Sequence, residues 1–94
     1  MAKMRASIQC IVSSVITELI HDDKDWDINS KGTKWRIKYN GKRVTVKAIS
    51  ALGEIRVINA RTGNTLSCTV STNNIDADSR HDIIDTVANN IKNV

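Results

Sequence analysis

The segment 34-KWRIKYNGKRVTVKAIS-50 decides the fold, because two alternating runs of apolar and polar residues flank the dipeptide Asn40-Gly41. Asn-Gly between such runs is the strongest short-range signal for a β-hairpin with a two-residue type I′ turn. A turn of this type fixes which residues face one another across the hairpin. The predicted opposite pairs are Tyr39 with Lys42, Ile37 with Val44, and Trp35 with Val46.

This register gives the hairpin one apolar and one basic face, since successive side chains of a strand point to opposite sides. The apolar face collects Trp35, Ile37, Tyr39, Val44, Val46 and Ala48. The opposite face collects Lys34, Arg36, Lys38, Arg43, Thr45 and Lys47. We therefore expect the first face to be buried and the second to meet water.

Two further turns extend the sheet to a four-stranded antiparallel meander. The first turn is Ala51-Leu52 beside Gly53, and it precedes the run 54–60. The second turn is Thr62-Gly63, and it precedes the run 65–71. Continuing the alternation adds to the apolar face Ile55, Val57, Leu66, Cys68 and Val70. It adds Arg56 to the basic face, beside Thr65, Ser67 and Thr69. Trp26 and Ile28 also alternate, inside an acidic cluster, and a short edge strand there is an alternative that the pattern allows.

Amphipathic helices are predicted at both ends of the chain, where apolar residues recur at spacings of three and four. The first stripe is Met4, Ile8, Ile11, Val12, Val15 and Leu19, widened by Ile16 and Ile20. The second follows a turn at Thr72 to Asn74 and comprises Ile83, Ile84, Val87, Ala88 and Ile91. Ser79 to Asp82 resembles a capping box with Asp in place of Glu, which predicts a helix start at Ser79.

These elements predict one α+β domain, residues 1–94, in the order α-β-β-β-β-α. Both helices are expected to cover the apolar sheet face and to leave the basic face exposed. Cys10 and Cys68 stand at apolar positions and are expected to be reduced and buried, with a disulfide between them as the alternative. Since two isolated cysteines are a weak basis for a disulfide scaffold, the expected location is the cytoplasm. No run of about 20 apolar residues is present.

The net charge of +4 is unevenly distributed along the chain. Residues 31–61 hold nine basic side chains and the single acid Glu54, a net charge of +8, while the rest carries −4. Like charges crowded on one face favour an anionic ligand. The candidate nucleic-acid or anion site is Lys34, Arg36, Lys38, Arg43, Lys47 and Arg56. The competing interpretation is a solvated face whose lysines protect the sheet from edge pairing.

The predicted basic face carries no aromatic residue, because Trp35 and Tyr39 fall on the apolar side. Single-strand binding by base stacking is therefore disfavoured. Contacts to phosphates, or recognition of duplex shape, fit better, with Thr45, Ser67 and Thr69 as additional hydroxyl donors. No residue on this face specifies a base sequence.

Catalytic groups are sparse, since His21, His81 and the neighbouring aspartates form no recognisable acid–base or metal-binding constellation. We therefore expect no enzyme, no cofactor and no metal site. Small basic ribonucleases, including RelE-like toxins, also place cations on a short antiparallel sheet beside helices. The segment Lys34 to Arg61 resembles these proteins in architecture but shares no motif with them. Integrase arm-type DNA-binding domains are similar in using hairpins of the form seen from Trp35 to Val46. A small basic ribonuclease is thus one alternative.

A protein partner is the other alternative. Ile49 and Ile58 interrupt the polar face, and with Trp26 they form a candidate protein interface. Such a surface fits a small virus- or phage-type adaptor or inhibitor that binds an acidic protein, or a homodimer formed sheet to sheet. The leading prediction is a small accessory protein that binds the phosphate backbone of DNA or RNA, with no membrane partner.

Overall fold

Two helices and five strands make up the computed structural model, which describes residues 2–70 and 77–94, with side chains for 8–49, 51–70 and 78–94. The helices are α1 (Ala2–Leu19) and α2 (Ala77–Asn93). The strands are β1 (Trp26–Ile28), β2 (Lys34–Tyr39), β3 (Lys42–Ile49), β4 (Glu54–Asn59) and β5 (Thr65–Thr69). Short 3-10 turns at Asp23–Asp25 and Ser50–Leu52 precede β1 and β4. The predicted turn at Thr72 to Asn74 and the Met4 side chain lie outside the described residues.

The five strands form one antiparallel sheet in sequence order, β1-β2-β3-β4-β5. The α+β class and the antiparallel sheet are confirmed, but the sheet has five strands and not the predicted four. The additional strand is β1, in which Trp26 pairs with Ile37 and Ile28 pairs with Trp35. A strand of three residues offers too little alternation to be separated from a loop by sequence pattern alone.

The central hairpin has the predicted register. Asn40 and Gly41 have φ angles of 49° and 80°, which are the left-handed values that a type I′ turn needs at both central positions. The observed pairs across the hairpin include Tyr39 with Lys42, Ile37 with Val44, and Trp35 with Val46. Since β4 and β5 follow β3 through short turns, the same division into two faces extends across the sheet.

One hydrophobic cluster joins side chains of both helices to alternate positions of the sheet. The sheet contributes Trp35, Ile37, Val44, Val46, Ala48, Ile55, Val57, Cys68 and Val70. The helical part comprises Ile8, Ile11, Val12, Val15, Ile16, Ile20, Val87 and Ile91. Full burial of a side chain of the Val, Leu or Ile type contributes about 1.5–3 kcal/mol, so this cluster is the main source of stability.

The two cysteines differ in exposure, contrary to the expectation that both are buried. Cys10 is exposed, because it follows Ile8 by two residues and points about 200° away from that side chain around the helix. Cys68 is buried, and its burial raises the pKa of the thiol. Both thiols are free, so no disulfide joins α1 to β5.

The second helix begins earlier than predicted, at Ala77 and not at Ser79. The two additional residues are Ala77 and Asp78, and the Asp78 carboxylate suits the positive end of the helix dipole. Ser79 therefore lies inside the helix, and the capping-box prediction is wrong. None of the described helices has the length and apolar character needed to cross a bilayer.

A lysine from the hairpin contacts the end of α2. The Lys42 ammonium donates to the main-chain carbonyl of Lys92 at 2.9 Å and to that of Ile91 at 3.4 Å. Carbonyls in the last turn of a helix lack partners within the helix, and a cation there also interacts favourably with the helix dipole. Lys42 thus joins β3 to α2 and is not part of the basic face.

The buried amide of Asn59 organises the β4–β5 turn. Its Oδ1 accepts from the main-chain N–H groups of Arg61 at 2.9 Å and Thr62 at 3.1 Å. Its Nδ2 donates to the Val94 carbonyl at 3.2 Å. Because both ends of this amide are satisfied, a polar side chain that is only 8% exposed is tolerated beside the core.

We expect Gly41→Ala to reduce the free energy of unfolding by about 1 kcal/mol or more. A Cβ at this position meets nothing within 4 Å, so the cost comes from the positive φ alone. Urea unfolding followed by tryptophan fluorescence measures the change. Asn40→Gly is the control, because glycine keeps the left-handed conformation and should cost only a few tenths of a kcal/mol. Equal stability of Gly41→Ala and the native protein would contradict a type I′ turn.

Candidate nucleic-acid interface

The six predicted site residues share one side of β2, β3 and β4, as the register of the three strands requires. We call this surface the basic face. Its exposed members are Lys34, Arg36, Lys38 and Arg43, and its half-buried members are Lys47 and Arg56. The two half-buried cations lie on β3 and β4, which have neighbouring strands on both sides.

Three of these cations lie directly opposite one another across adjacent strands. Lys34 pairs with Lys47, and Lys47 pairs with Arg56. We call these three residues the cationic row, which Ser67 of β5 continues opposite Arg56. At a strand spacing of about 4.8 Å, like charges at directly opposite positions destabilise a sheet. The row therefore has an electrostatic cost that an anion would relieve.

Two acidic side chains also lie on this face, and each pairs with one cation. Asp27 Oδ1 is 3.4 Å from Arg36 Nε, and Glu54 accepts a hydrogen bond from Arg56 Nε. The sequence prediction names neither acid as a member of the face, although the alternation contains the signal in both cases. Asp27 is the middle residue of β1, and Glu54 precedes Arg56 by two positions.

After these ion pairs, most of the basic face still lacks neutralising acids. Among the described side chains, no carboxylate forms an ion pair with Lys34, Lys38, Arg43 or Lys47. The unpaired cations include two of the three members of the cationic row. A surface of this kind holds a positive potential that attracts anions from a distance of about one Debye length.

The pKa of Glu54 is lowered from its ordinary value of 4.5. The hydrogen bond from Arg56 is the main cause, the charge of that guanidinium adds to it, and a hydrogen bond from Ser67 has the same sign. Burial acts in the opposite direction and raises the pKa. Glu54 is therefore a carboxylate at neutral pH and partly neutralises the end of the cationic row.

A surface cavity of about 450 Å³ lies at the part of the basic face near the β2–β3 turn. Its charged lining residues are the cations Lys24, Arg36, Lys38 and Arg43 and the acids Asp25 and Asp27. Cations therefore outnumber acids in this lining. Two of these cations, Lys38 and Arg43, are directly opposite each other in the hairpin. A concave surface with this charge concentrates its field on a small anionic group, such as one phosphate.

The residues predicted for a protein interface are only partly accessible. Ile49 and Ile58 are half-buried and not exposed as predicted, since Ile58 lies within the sheet between Thr45 and Thr65. Trp26 is also half-buried and packs against the hydrophobic cluster. The large apolar side chains that the described region does expose are Ile28, Leu52 and Leu66. None of these three belongs to the predicted interface.

Every aromatic side chain of the protein contributes to the core. The chain contains two tryptophans, one tyrosine and no phenylalanine. Trp35 is buried in the hydrophobic cluster, and Trp26 and Tyr39 pack against it. The basic face thus offers a base no ring on which to stack.

The histidines lie outside the basic face. His81 is on the exposed surface of α2, with Nε2 3.7 Å from Asp85 Oδ2, and His21 is exposed just after α1. Within residues 2–70 and 77–94, no three His, Cys, Asp or Glu side chains form a group suited to a metal ion.

Comparison with known proteins gives no functional assignment. No protein-family model, no curated protein and no solved structure matches this chain. The function must therefore be inferred from the geometry and charge of the basic face.

Arg56→Gln should raise the pKa of Glu54 toward 4.5, because the substitution removes the main hydrogen-bond donor to this carboxylate. Carbon-detected NMR of the Glu54 carboxyl during a pH titration measures the shift. Arg61→Gln removes a cation from the β4–β5 turn and serves as the control. Since the folded-state pKa is lowered, the stabilisation from ionised Glu54 is complete above pH 4.5 and is lost as the pH falls below it. An unchanged Glu54 titration in Arg56→Gln would contradict this assignment.

Proposed function

We propose that this protein is a small, non-enzymatic accessory protein that binds the phosphate backbone of double-stranded nucleic acid through its basic face. The cationic row is the observation that carries the proposal. Lys34, Lys47 and Arg56 stand in line across three strands, and the described residues supply an acidic partner to Arg56 alone. Phosphates placed over this row replace repulsion between cations by attraction to an anion.

The dimensions of the basic face suit a nucleic-acid backbone. The cationic row covers two strand spacings, about 10 Å, and successive same-face residues of β2 are about 6.8 Å apart. Each strand of a duplex carries one phosphate per about 3.4 Å of helix axis, so the face can reach several of them. Neutralising phosphates releases counterions, which makes the affinity fall as salt is added.

Duplex recognition is favoured over single-strand recognition because the aromatic side chains lie in or against the core. Proteins that bind single strands without sequence preference combine cations with exposed rings that stack on bases. Here the groups beside the cations are the hydroxyls of Thr45, Ser67 and Thr69, which can donate to phosphate oxygens. Binding of this kind is independent of base sequence.

Replacing Lys34 and Lys47 together by Gln should weaken duplex binding about tenfold or more at about 50 mM salt. It should also reduce the slope of log affinity against log salt by about 1.8, since two phosphate contacts are lost at about 0.9 each. Fluorescence anisotropy with a short labelled duplex, measured at about 50 and about 200 mM salt, gives both quantities.

The matched control is the double variant Arg80→Gln, Lys92→Gln, which loses the same charge from exposed positions of α2. Its affinity should fall far less, because only the long-range field changes. Circular dichroism shows whether each variant keeps the fold. Equal losses in the two double variants would attribute binding to net charge and reject the basic face as the site.

The opposite change should strengthen binding. Asp27→Asn with Glu54→Gln releases Arg36 and Arg56 from their ion pairs, so we expect a higher affinity and a steeper salt dependence in the same assay. Asp82→Asn with Asp85→Asn, both exposed on α2, is the control with the same charge. A gain in affinity that is seen only for Asp27→Asn with Glu54→Gln supports direct contact between the basic face and the duplex. The absence of any gain would count against that contact.

The same measurements separate the alternatives. Absence of duplex binding at the lower salt concentration would overturn the nucleic-acid proposal and favour an acidic protein surface as the ligand of the basic face. Degradation of an RNA duplex during the assay would instead identify a small basic ribonuclease. Tighter binding to single strands than to duplex would contradict recognition of a double-stranded backbone.

A further inference from the structure

The strand β5 forms one edge of the sheet, and none of the described residues forms a backbone hydrogen bond with its outer side. The strand has the sequence TLSCT and contains no charge, proline or glycine. Natural proteins usually shorten, charge, bulge or cover such an edge, because its unpaired N–H and C=O groups can pair with another strand. The opposite edge strand, β1, has only three residues and carries Asp27.

The direction of the backbone groups in β5 follows from two hydrogen bonds at the ends of its pairing with β4. Asn59 N–H donates to the Asn64 carbonyl at 2.8 Å, and Val70 N–H donates to the Gly53 carbonyl at 2.6 Å. Antiparallel strands alternate between hydrogen-bonded and non-hydrogen-bonded pairs. The residues of β5 that direct their N–H and C=O groups away from β4 are therefore Thr65, Ser67 and Thr69.

The strand is complementary to itself. When two copies of β5 run antiparallel about a two-fold axis at Ser67, Thr65 of one copy faces Thr69 of the other. Leu66 then faces Cys68 of the second copy. Hydroxyl residues meet hydroxyl residues, which is a favourable cross-strand pairing, and apolar residues meet apolar residues. The outward backbone groups become the hydrogen-bonded pairs of the new ladder, and the whole strand overlaps.

We propose that this protein forms a two-fold symmetric dimer in which β5 pairs with β5 of a second copy. The two sheets then become one continuous sheet, and isologous pairing closes the assembly at two copies. The charge distribution favours association through β5. Two chains that each carry a net charge of +4 repel each other, but the β5 strand itself has no charged residue. Leu66, which is 37% exposed, loses contact with water in the dimer.

The dimer extends the basic face and leaves it accessible. A two-fold axis perpendicular to the sheet keeps both basic faces on the same side, with the two cationic rows in one line. From Lys34 of one copy to Lys34 of the other, this line crosses seven strand spacings, about 34 Å. One turn of duplex DNA is about 34–36 Å long. The pairing is independent of the proposed function, whereas the match to a duplex rests on it.

Sedimentation equilibrium without nucleic acid tests the pairing. A single strand pair buries little surface, so we expect a weak dimer, with the mass rising above 10.4 kDa at concentrations on the order of 100 μM. Ser67→Lys places two ammonium groups at the two-fold axis and should keep the protein monomeric. Thr45→Lys adds the same charge to the same face within the sheet and should leave association unchanged. A constant mass of 10.4 kDa in the native protein at all concentrations would overturn the proposal.

Disulfide trapping tests the register. In a Cys10→Ser background, Ser67→Cys brings two thiols together at the axis, where Cα atoms of a hydrogen-bonded pair are about 5.5 Å apart and within disulfide range. Thr69→Cys puts the two thiols four residues out of register, about 13 Å along the strands. We expect fast cross-linking of Ser67→Cys alone. Equal rates in the two variants would reject this register.

The two proposals can fail separately. A dimer trapped through Ser67→Cys that shows no affinity for duplex would retain the pairing and overturn the function. A monomeric native protein that binds duplex through Lys34 and Lys47 would retain the function and overturn the pairing. When both hold, the Ser67→Cys disulfide dimer should bind duplex more tightly than the same variant after reduction, measured below the dissociation constant of the non-covalent dimer, because in the disulfide dimer the second basic face binds intramolecularly.

Discussion

The pairing fixed by Asn40 and Gly41 is the constraint on which the rest of the structure depends. A slip of one residue between β2 and β3 would send the apolar residues of one strand into water and its cations toward the core. The two-residue turn prevents this because only one register joins the strands without extra chain. Burial of Trp35 beside Val46 and the segregation of charge thus have the same local origin.

The sheet combines an unfavourable surface with a favourable interior. Opposed cations on neighbouring strands cost free energy, and the structure reduces that cost only in part, through Asp27 and Glu54. Exposed ion pairs contribute little individually, typically 0–1 kcal/mol. The buried side of the same strands provides the compensation, since its fully buried side chains each contribute about 1.5–3 kcal/mol. Local rules of this kind are most often broken at functional sites.

Features set by alternation and turn chemistry could be predicted from the sequence, and these include the hairpin register, the order of the strands beyond it and the cations that share one face. Features decided by tertiary context could not. The strand β1 is too short to show a period, so Asp27 was not assigned to the basic face. Cys10 looked buried by residue type although its helical angle exposes it. The start of α2 at Ala77 is a boundary, which sequence patterns locate poorly.

The contacts at the C-terminal end of α2 connect parts of the fold that are distant in sequence. Lys42 holds the last carbonyls of the helix, and Asn59 holds Val94 while ordering the β4–β5 turn. Local opening of either hairpin turn must therefore break bonds to the last helical turn as well. We therefore expect amide hydrogen exchange in these three segments to be coupled, since cooperative units of this kind open together.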